Sequence, residues 1–445
     1  MNILEVAKSL LENYTLCDNC LGRQFALLSH GLTNRERGEA IKLILTLEAD
    51  RLLLEGEEDG KAFMEVIASK GRSKVAANNL EERGFPAKNL AERCYLCENV
   101  FNRIDQYAEK ANKKLGEYEF ETFLVGVSAP VEIESREDEL RSKFNIKWGE
   151  NIRNELSREI GRIIASRTKK KTDFKKPQAL VIINPLSNSI SLNISPLFIS
   201  GRYRKNVRGI PQSKWVCSSC KGRGCPRCNG KGRMYTESVE EYVAAPLLEV
   251  SGGEDTRFHA AGREDIDARV LGKGRPFVIE VKKPKKRKIK LRRLQREINE
   301  GSERKIEVSR LKMSSRDKIE DIKRGEGANK VYRAVVKFEK SISDKKLVSI
   351  KDGLTNSIIH QLTPMRVVHR RTDKIRKRRV FEVKLKRLKS KKVEILILCQ
   401  GGLYIKELIT GDKGRTNPNI SDLADNPAKC VEIDVLKVIE GKKHG

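Results

Sequence analysis

The segment Cys217-Ser-Ser-Cys220-Lys-Gly-Arg-Gly-Cys225-Pro-Arg-Cys228-Asn-Gly-Lys-Gly232 writes the phrase C-x-x-C-x-G-x-G twice in tandem. Each Cys-x-x-Cys turn aims two thiolates at one point, and four such sulfurs complete a tetrahedral zinc shell. The glycines permit positive φ in the tight turns and leave backbone amides free to approach the sulfurs. A second set, Cys17/Cys20 and Cys94/Cys97, offers the same four-thiolate grip from two distant stretches, so eight of the ten cysteines stand in paired turns. Disulfides or redox dithiols are the competing reading. The chain opens on an amphipathic helix pattern (MNILEVAKSLLENY) rather than a secretory leader, which favours reduced, metal-binding thiols and a cytoplasmic protein. Two structural zinc ions are therefore expected. Neither is expected to be catalytic, because four sulfurs leave no position for water. Closure through the split site would tie the first hundred residues into one unit.

Such a framework needs domains around it, and 445 residues leave room for two or three. No apolar run approaches the length that spans a bilayer. The formal charge of +30 calls for an anionic partner. Basic residues accompany Gly, Tyr and zinc turns rather than an amphipathic Lys/Trp helix, so nucleic acid is expected and a membrane is not. Nine of the twelve residues from Lys282 to Arg293 are basic and none is acidic, and the stretch 366–379 is nearly as dense. A charge run is ordinarily a solvated face. Two runs of one sign attached to strands argue instead for phosphate contacts, which set affinity rather than sequence choice.

The pattern of apolar residues predicts helices through residues 1–100 and again over 151–168. Strands are predicted at 120–127, 179–184, 189–194, 277–281, 331–338, 380–385, 393–399 and 430–438. The texture changes near Met234, which places a domain boundary just after the tandem zinc turn. Walker, dinucleotide-binding and H-E-x-x-H motifs are absent, and none of the five histidines has an evident partner. Cys399 and Cys430 read as core residues.

Three short segments stand out. Gly262-Arg-Glu-Asp265-Ile-Asp267-Ala-Arg is by itself an ordinary surface turn, Lys330-Val-Tyr332-Arg an ordinary half-buried strand, and Gly402-Leu-Tyr404-Ile-Lys406 a glycine turn into a short helix. Together, and in this order, they resemble the aspartate loop, the tyrosine motif and the G-x-Y-[IV]-[RK] motif of pseudouridine synthases. The fuller match is similar to the archaeal branch that modifies uridines 54 and 55 of the tRNA T arm. That branch carries G-R-E-D-I-D-x-R-x-L-G, H-R-R and Y-I-K-E…G-D-x-G-R-T-x-P, together with a split four-cysteine site and a THUMP RNA-binding domain whose ending resembles residues 196–205.

The resemblance implies an α/β (α+β) protein: a catalytic domain on a large mixed, mainly antiparallel sheet, behind an N-terminal zinc-bearing THUMP-type domain. It implies a helical zinc region at 1–76, the THUMP domain at 77–205, the zinc turn as linker at 206–235 and the catalytic domain at 236–445. Asp265 would be the nucleophile, with Asp267 as competitor. Tyr332 would stack on the extruded uracil and accept a proton, and Lys406, where many relatives have Arg, would keep Asp265 ionised. Tyr404, Arg202 and Arg204 join Tyr332 as expected RNA contacts, a structural role for the two arginines being equally open. The expected partner is tRNA, with no organic cofactor, no DNA and no membrane, and the chain is expected to be a monomer. A non-catalytic zinc-containing tRNA-binding or chaperone protein is the alternative; it leaves Asp265, Tyr332 and Lys406 unexplained. A THUMP-linked methyltransferase or sulfur transferase ranks behind it, for want of a cofactor or phosphate loop.

Overall fold

Capping residues start the helices where the apolar pattern requires them. Asn2 and Thr33 each accept from the amide three residues on, while Glu5 and Glu36 reach back, so helices Ile3–Asn13 and Asn34–Leu54 both begin in capping boxes. The computed structural model describes residues 2–86, 93–128, 131–324, 327–370 and 372–439. It divides the chain into two units, Met1–Ser195 and Pro196–Gly445.

In the first unit the N-terminal helices lead to a four-stranded sheet. Its strands are β1 (Thr122–Val127), β2 (Lys171–Thr172), β3 (Ala179–Asn184) and β4 (Ser189–Ile194), in the order β2-β1-β3-β4. β1 runs parallel to β2 and β3, and β3 and β4 form an antiparallel pair. Phe123 and Val125 of β1 and Val181 and Ile183 of β3 share one core with Leu156, Ile160 and Ile164 of helix Ile152–Thr168. The cysteine hub is joined to this layer by a buried ion-pair centre. Arg23, with no exposed surface, reaches Glu137 at 2.7 Å and Glu155 at 2.9 Å, and its third nitrogen lies 3.4 Å from Cys20 Sγ. The unit that the split cysteines were expected to close over the first hundred residues thus extends to Ser195.

The second unit is built on ten strands: β5 (Leu197–Lys205), β6 (Asp255–Ala260), β7 (Ala268–Lys282), β8 (Ile306–Ser314), β9 (Lys330–Phe338), β10 (Ile358–Gln361), β11 (Arg376–Lys389), β12 (Lys392–Cys399), β13 (Thr416–Asn417) and β14 (Ala428–Val438). Their order is β13-β10-β11-β12-β9-β14-β7-β5-β8, with β6 also beside β7. Only the β7–β14 pairing is parallel, so the sheet is mixed and mainly antiparallel, as expected. β12 shows the alternation of a half-buried strand: Val393, Ile395, Ile397 and Cys399 are fully buried and their neighbours are not. In β7, Phe277, Val278 and Ile279 are buried in succession, because both faces of this central strand are covered. One core lies under β9–β12 with helices Asp344–Leu354, Ile405–Thr410 and Ile420–Ala424; a second lies under β5, β7 and β8 with Val239–Ser251 and Leu291–Gly301. Tyr332 packs against both.

The strands expected from alternation are present, some of them longer than the pattern showed. The expected boundary is not. β5, read as the end of the THUMP domain, is hydrogen-bonded between β7 and β8, and its Leu197, Ile199 and Tyr203 belong to the second core. The tandem Cys-x-x-Cys turn also lies inside the second unit, so the division falls at Ser195/Pro196 rather than after Met234. The reason is physical: alternation in β5 fixes which side is buried and says nothing about which sheet buries it.

Candidate active site and metal centres

Asp265 stands in the loop 261–267 between β6 and β7. The chain turns out of β6 at Gly262, whose φ of +77° an L side chain rarely adopts and whose amide hydrogen-bonds back to Ala260 O at 2.9 Å. Asp265 O then accepts from Ala268 N at 3.0 Å, which starts β7. The loop rests on a buried polar network that sequence reasoning did not find. Glu264, without exposed side chain, accepts from Tyr203 Oη at 2.8 Å and faces Arg275 Nε at 3.0 Å. Gln212 donates to Tyr203 Oη at 2.7 Å and to Gly262 O at 3.0 Å. Lys205 Nζ donates to three carbonyls, Ile210 at 2.7 Å, Ile266 at 3.1 Å and Asp265 itself at 3.3 Å. Burial pushes the Lys205 ammonium down to about 8, against the pull of Glu264. On the other side Arg208 donates to Asp267 O at 2.6 Å and pairs with buried Asp434 at 2.7 Å; Arg269 and Arg333 hold the same carboxylate across β7, β14 and β9.

Two cations face Asp265. Arg366 grips it with a fork, Nη1 to Oδ1 and Nη2 to Oδ2 both at 3.1 Å, and is itself held by Glu407 at 2.7 Å. Burial works against its charge, but Glu407 and Asp265 outweigh that and raise its pKa. Lys406 lies 3.6 Å from Asp265 Oδ2 but hydrogen-bonds Asp267 at 2.6 and 2.7 Å. The partner expected for Asp265 is therefore nearer to Asp267, and the bidentate partner is Arg366, a member of the second basic run. The reason is reach: an ammonium can serve one carboxylate closely, whereas the guanidinium fork matches both oxygens of the other. Burial raises the Asp267 pKa and Lys406 more than offsets it, holding the carboxyl below its usual range.

Tyr332 enters from β9, and burial raises its phenol, with Asp265 and Glu264 adding to the shift and Arg275 opposing it. Tyr404 caps helix Ile405–Thr410, its backbone paired with Gln361 at 2.9 and 3.0 Å, and its ring lies under the guanidiniums of Arg366 at 6.0 Å and Arg376 at 5.8 Å. The structure thus brings Asp265, Asp267, Tyr332, Tyr404 and Lys406 together. Arg202 and Arg204 are engaged in the sheet: Arg202 donates to Lys273 O at 2.8 Å and Gly274 O at 2.9 Å, and Arg204 pairs with Glu307. These contacts give both arginines a structural role, with the Arg204 side chain still 41% exposed.

Both cysteine sets converge, with all four sulfurs of each within 4.8 Å of one another. A tetrahedron with Zn–S bonds of about 2.3 Å has edges of about 3.8 Å. The sulfurs of Cys217 and Cys225, Cys220 and Cys228, and Cys225 and Cys228 are each 3.8 Å apart, and those of Cys17 and Cys97 3.6 Å. The amides of Gly224 and Gly232 approach Cys220 and Cys228 Sγ at 3.2 Å, as the glycine spacing predicts. Both sets could hold a metal ion, and four thiolates at this spacing are consistent with zinc. Among the described residues no helix is long and apolar enough to cross a membrane.

The mixed sheet thus carries an aspartate loop between two of its strands, with Arg366 and Lys406 facing that aspartate and Tyr332 entering from β9. The chain matches the family model "Pus10, C-terminal" over residues 198–439 and "Pus10 THUMP domain, archaeal" over residues 107–184. It is 43% identical to the tRNA pseudouridine synthase Pus10 of Methanocaldococcus jannaschii over 96% of this chain and 93% of that one. Identity to the namesake of Methanothrix thermoacetophila is 38%, covering 98% and 94%. The chain belongs to the Pus10 family of tRNA pseudouridine synthases. Among solved structures, the crystal structure of a Cbf5-Nop10-Gar1 complex overlaps 45% of each chain at 15% identity and a TM-score of 0.29, too low to carry an argument.

Proposed function

We propose that this protein isomerises uridines 54 and 55 in the T loop of tRNA to pseudouridine, with Asp265 as nucleophile. One observation carries the reading: the Asp265 carboxylate, forked by Arg366 and flanked by Lys406, stands on a loop whose backbone is anchored by buried Lys205 and Gln212. The reaction cuts the N1–C1′ bond, turns the base and joins C5 to C1′; the C5 proton leaves and N1 ends protonated, with no net redox change. A carboxylate paired with two cations can attack C1′ or C6 and leave again. The target base has to be extruded first, which costs less in a loop than in a duplex. Tyr332, pinned between two cores, gives the extruded uracil a ring to stack on, and its phenol, kept protonated by burial, takes the C5 proton only as it passes its own to N1. Tyr404, beneath the guanidiniums of Arg366 and Arg376, offers the RNA strand a ring beside two cations. The two four-cysteine sets hold zinc as structural ions, the first within the THUMP-bearing unit and the second within the catalytic one. The protein works as a cytoplasmic monomer on tRNA.

Mapping pseudouridine in an unmodified tRNA transcript after incubation with the purified protein tests this. Modification at 54 and 55 is expected. A transcript left unmodified would leave the alternative, a zinc-bearing tRNA-binding protein.

A further inference from the structure

The zinc turn of the catalytic unit carries more charge than a fold element needs. Residues 214–236 include six basic side chains, Lys214, Lys221, Arg223, Arg227, Lys231 and Arg233, and no acidic one. Only Arg233 has a carboxylate partner among the described residues, Glu241 at 2.6 Å. Lys221, Arg223, Arg227 and Lys231 are exposed, on a backbone fixed by the four sulfurs and by the Cys217–Gly232 hydrogen bond of 2.9 Å. A zinc ion with four thiolates contributes about −2. The turn therefore stays positive even with its metal bound.

Its base reaches the catalytic loop. Trp215 and Tyr235, the residues that flank the turn, stack at 5.5 Å and 28°, and Arg263 lies over the Trp215 ring at 5.3 Å. Arg263 is exposed and stands two residues before Asp265. A recess of about 130 Å³ opens beside this column, lined by Arg227, Lys231, Arg233, Met234 and Tyr235 among others. Cations on a rigid backbone with an aromatic platform are what a nucleic-acid strand requires: the charges follow its phosphates and the rings accept an unpaired base.

We infer that this zinc turn is a docking surface for the substrate RNA, with Lys221, Arg223, Arg227 and Lys231 contacting phosphates of the strand that enters the Asp265 loop. The inference rests on the reading of the chain as an RNA-modifying enzyme. It gives the second zinc a task beyond holding the fold: it stiffens a surface that guides the substrate past Trp215 and Arg263 to the nucleophile. These four side chains touch neither Asp265 nor any of its partners, so the surface acts on binding and leaves the chemical step alone.

The test replaces all four together (Lys221→Gln, Arg223→Gln, Arg227→Gln, Lys231→Gln) in the full chain and reads zinc content, tRNA affinity against salt, and steady-state kinetics. Zinc should stay at the wild-type level. Kd and KM should rise about tenfold or more, kcat should hold within about twofold, and the slope of log affinity against log salt should flatten by about 3, at 0.7–0.9 per lost phosphate contact. An unchanged Kd and slope with zinc retained would overturn the inference. A second measurement is independent of that variant. The chain has two tryptophans, Trp148 and Trp215, so Trp148→Phe leaves Trp215 as the reporter. Its emission should change on titration with tRNA at the Kd found by other means, and constant emission at saturation contradicts docking here. Failure of the enzymatic reading looks different: the wild type would make no pseudouridine, while both binding measurements would still decide whether RNA sits on the turn.

Discussion

Lys205→Met separates the support of the catalytic loop from the stability of the fold. Lys205 is fully buried, and its pKa of about 8 against an ordinary 10.5 means burial penalises the ammonium by about 3 kcal/mol. Between those values the unfolded chain binds the proton and the fold does not. The contribution to stability is therefore full above 10.5 and is lost as pH falls through 8. Methionine removes the penalty along with three hydrogen bonds. Two of the three carbonyls keep another donor, since Asp265 O accepts from Ala268 N and Ile266 O from Gly209 N. The Ile210 carbonyl loses its ammonium, at about 1–3 kcal/mol. The two effects nearly cancel, so stability should change by less than about 2 kcal/mol, a melting shift within about 4–8 °C. Activity should not cancel. With the anchor on the Asp265 backbone gone, single-turnover pseudouridine formation should fall about tenfold, equivalent to about 1.4 kcal/mol. In the wild type the rate should decline as pH rises through about 8 and Lys205 loses its proton, and the variant should lack that limb. Rates at saturating tRNA from about pH 6 to about pH 9.5, with melting curves alongside, measure both. A wild-type rate that stays flat through this range, or a variant with the same descending limb, would refute the reasoning.

Three further outcomes are expected. Arg366→Ala should lower kcat by about ten- to a hundredfold, about 1.4–2.8 kcal/mol, while Arg366→Lys recovers part of it; an effect confined to KM would make Arg366 a phosphate contact like its neighbours in the basic run. The protein should carry two equivalents of zinc, and joint Cys225→Ser and Cys228→Ser should remove one, as read by elemental analysis. A fragment beginning at Pro196 should fold and melt cooperatively, whereas one beginning at Met234 should not, because it lacks β5, Lys205 and Gln212.

What was legible in the sequence was local. Cys-x-x-Cys spacing fixes sulfur geometry within four residues, and alternation over six to nine residues marks strands such as β3, β4 and β12. The motif order led to Asp265 and Lys406, which the structure sets 3.6 Å apart. Partners separated by a hundred residues were not legible. Arg366 sits in a run of like charges, where nothing in the spacing shows which member turns inward; its nearest signal is Glu407, an acid beside Lys406 in the motif segment. Nothing in the sequence marks Glu264, Lys205 and Arg275 as buried, because charge is normally exposed and only the tertiary structure supplies the partners that permit burial. β5 was assigned to the wrong unit for a similar reason, since its partner strands begin tens of residues later.

The central claim is that the Asp265 carboxylate does the chemistry. Asp265→Asn keeps nearly the same volume and removes the negative charge, so tRNA should bind with little change in Kd. Tritium release from tRNA labelled at uridine C5 should fall to background, while Asp267→Asn should retain measurable turnover because its carboxylate serves Lys406. Wild-type release by a folded Asp265→Asn protein would contradict the account.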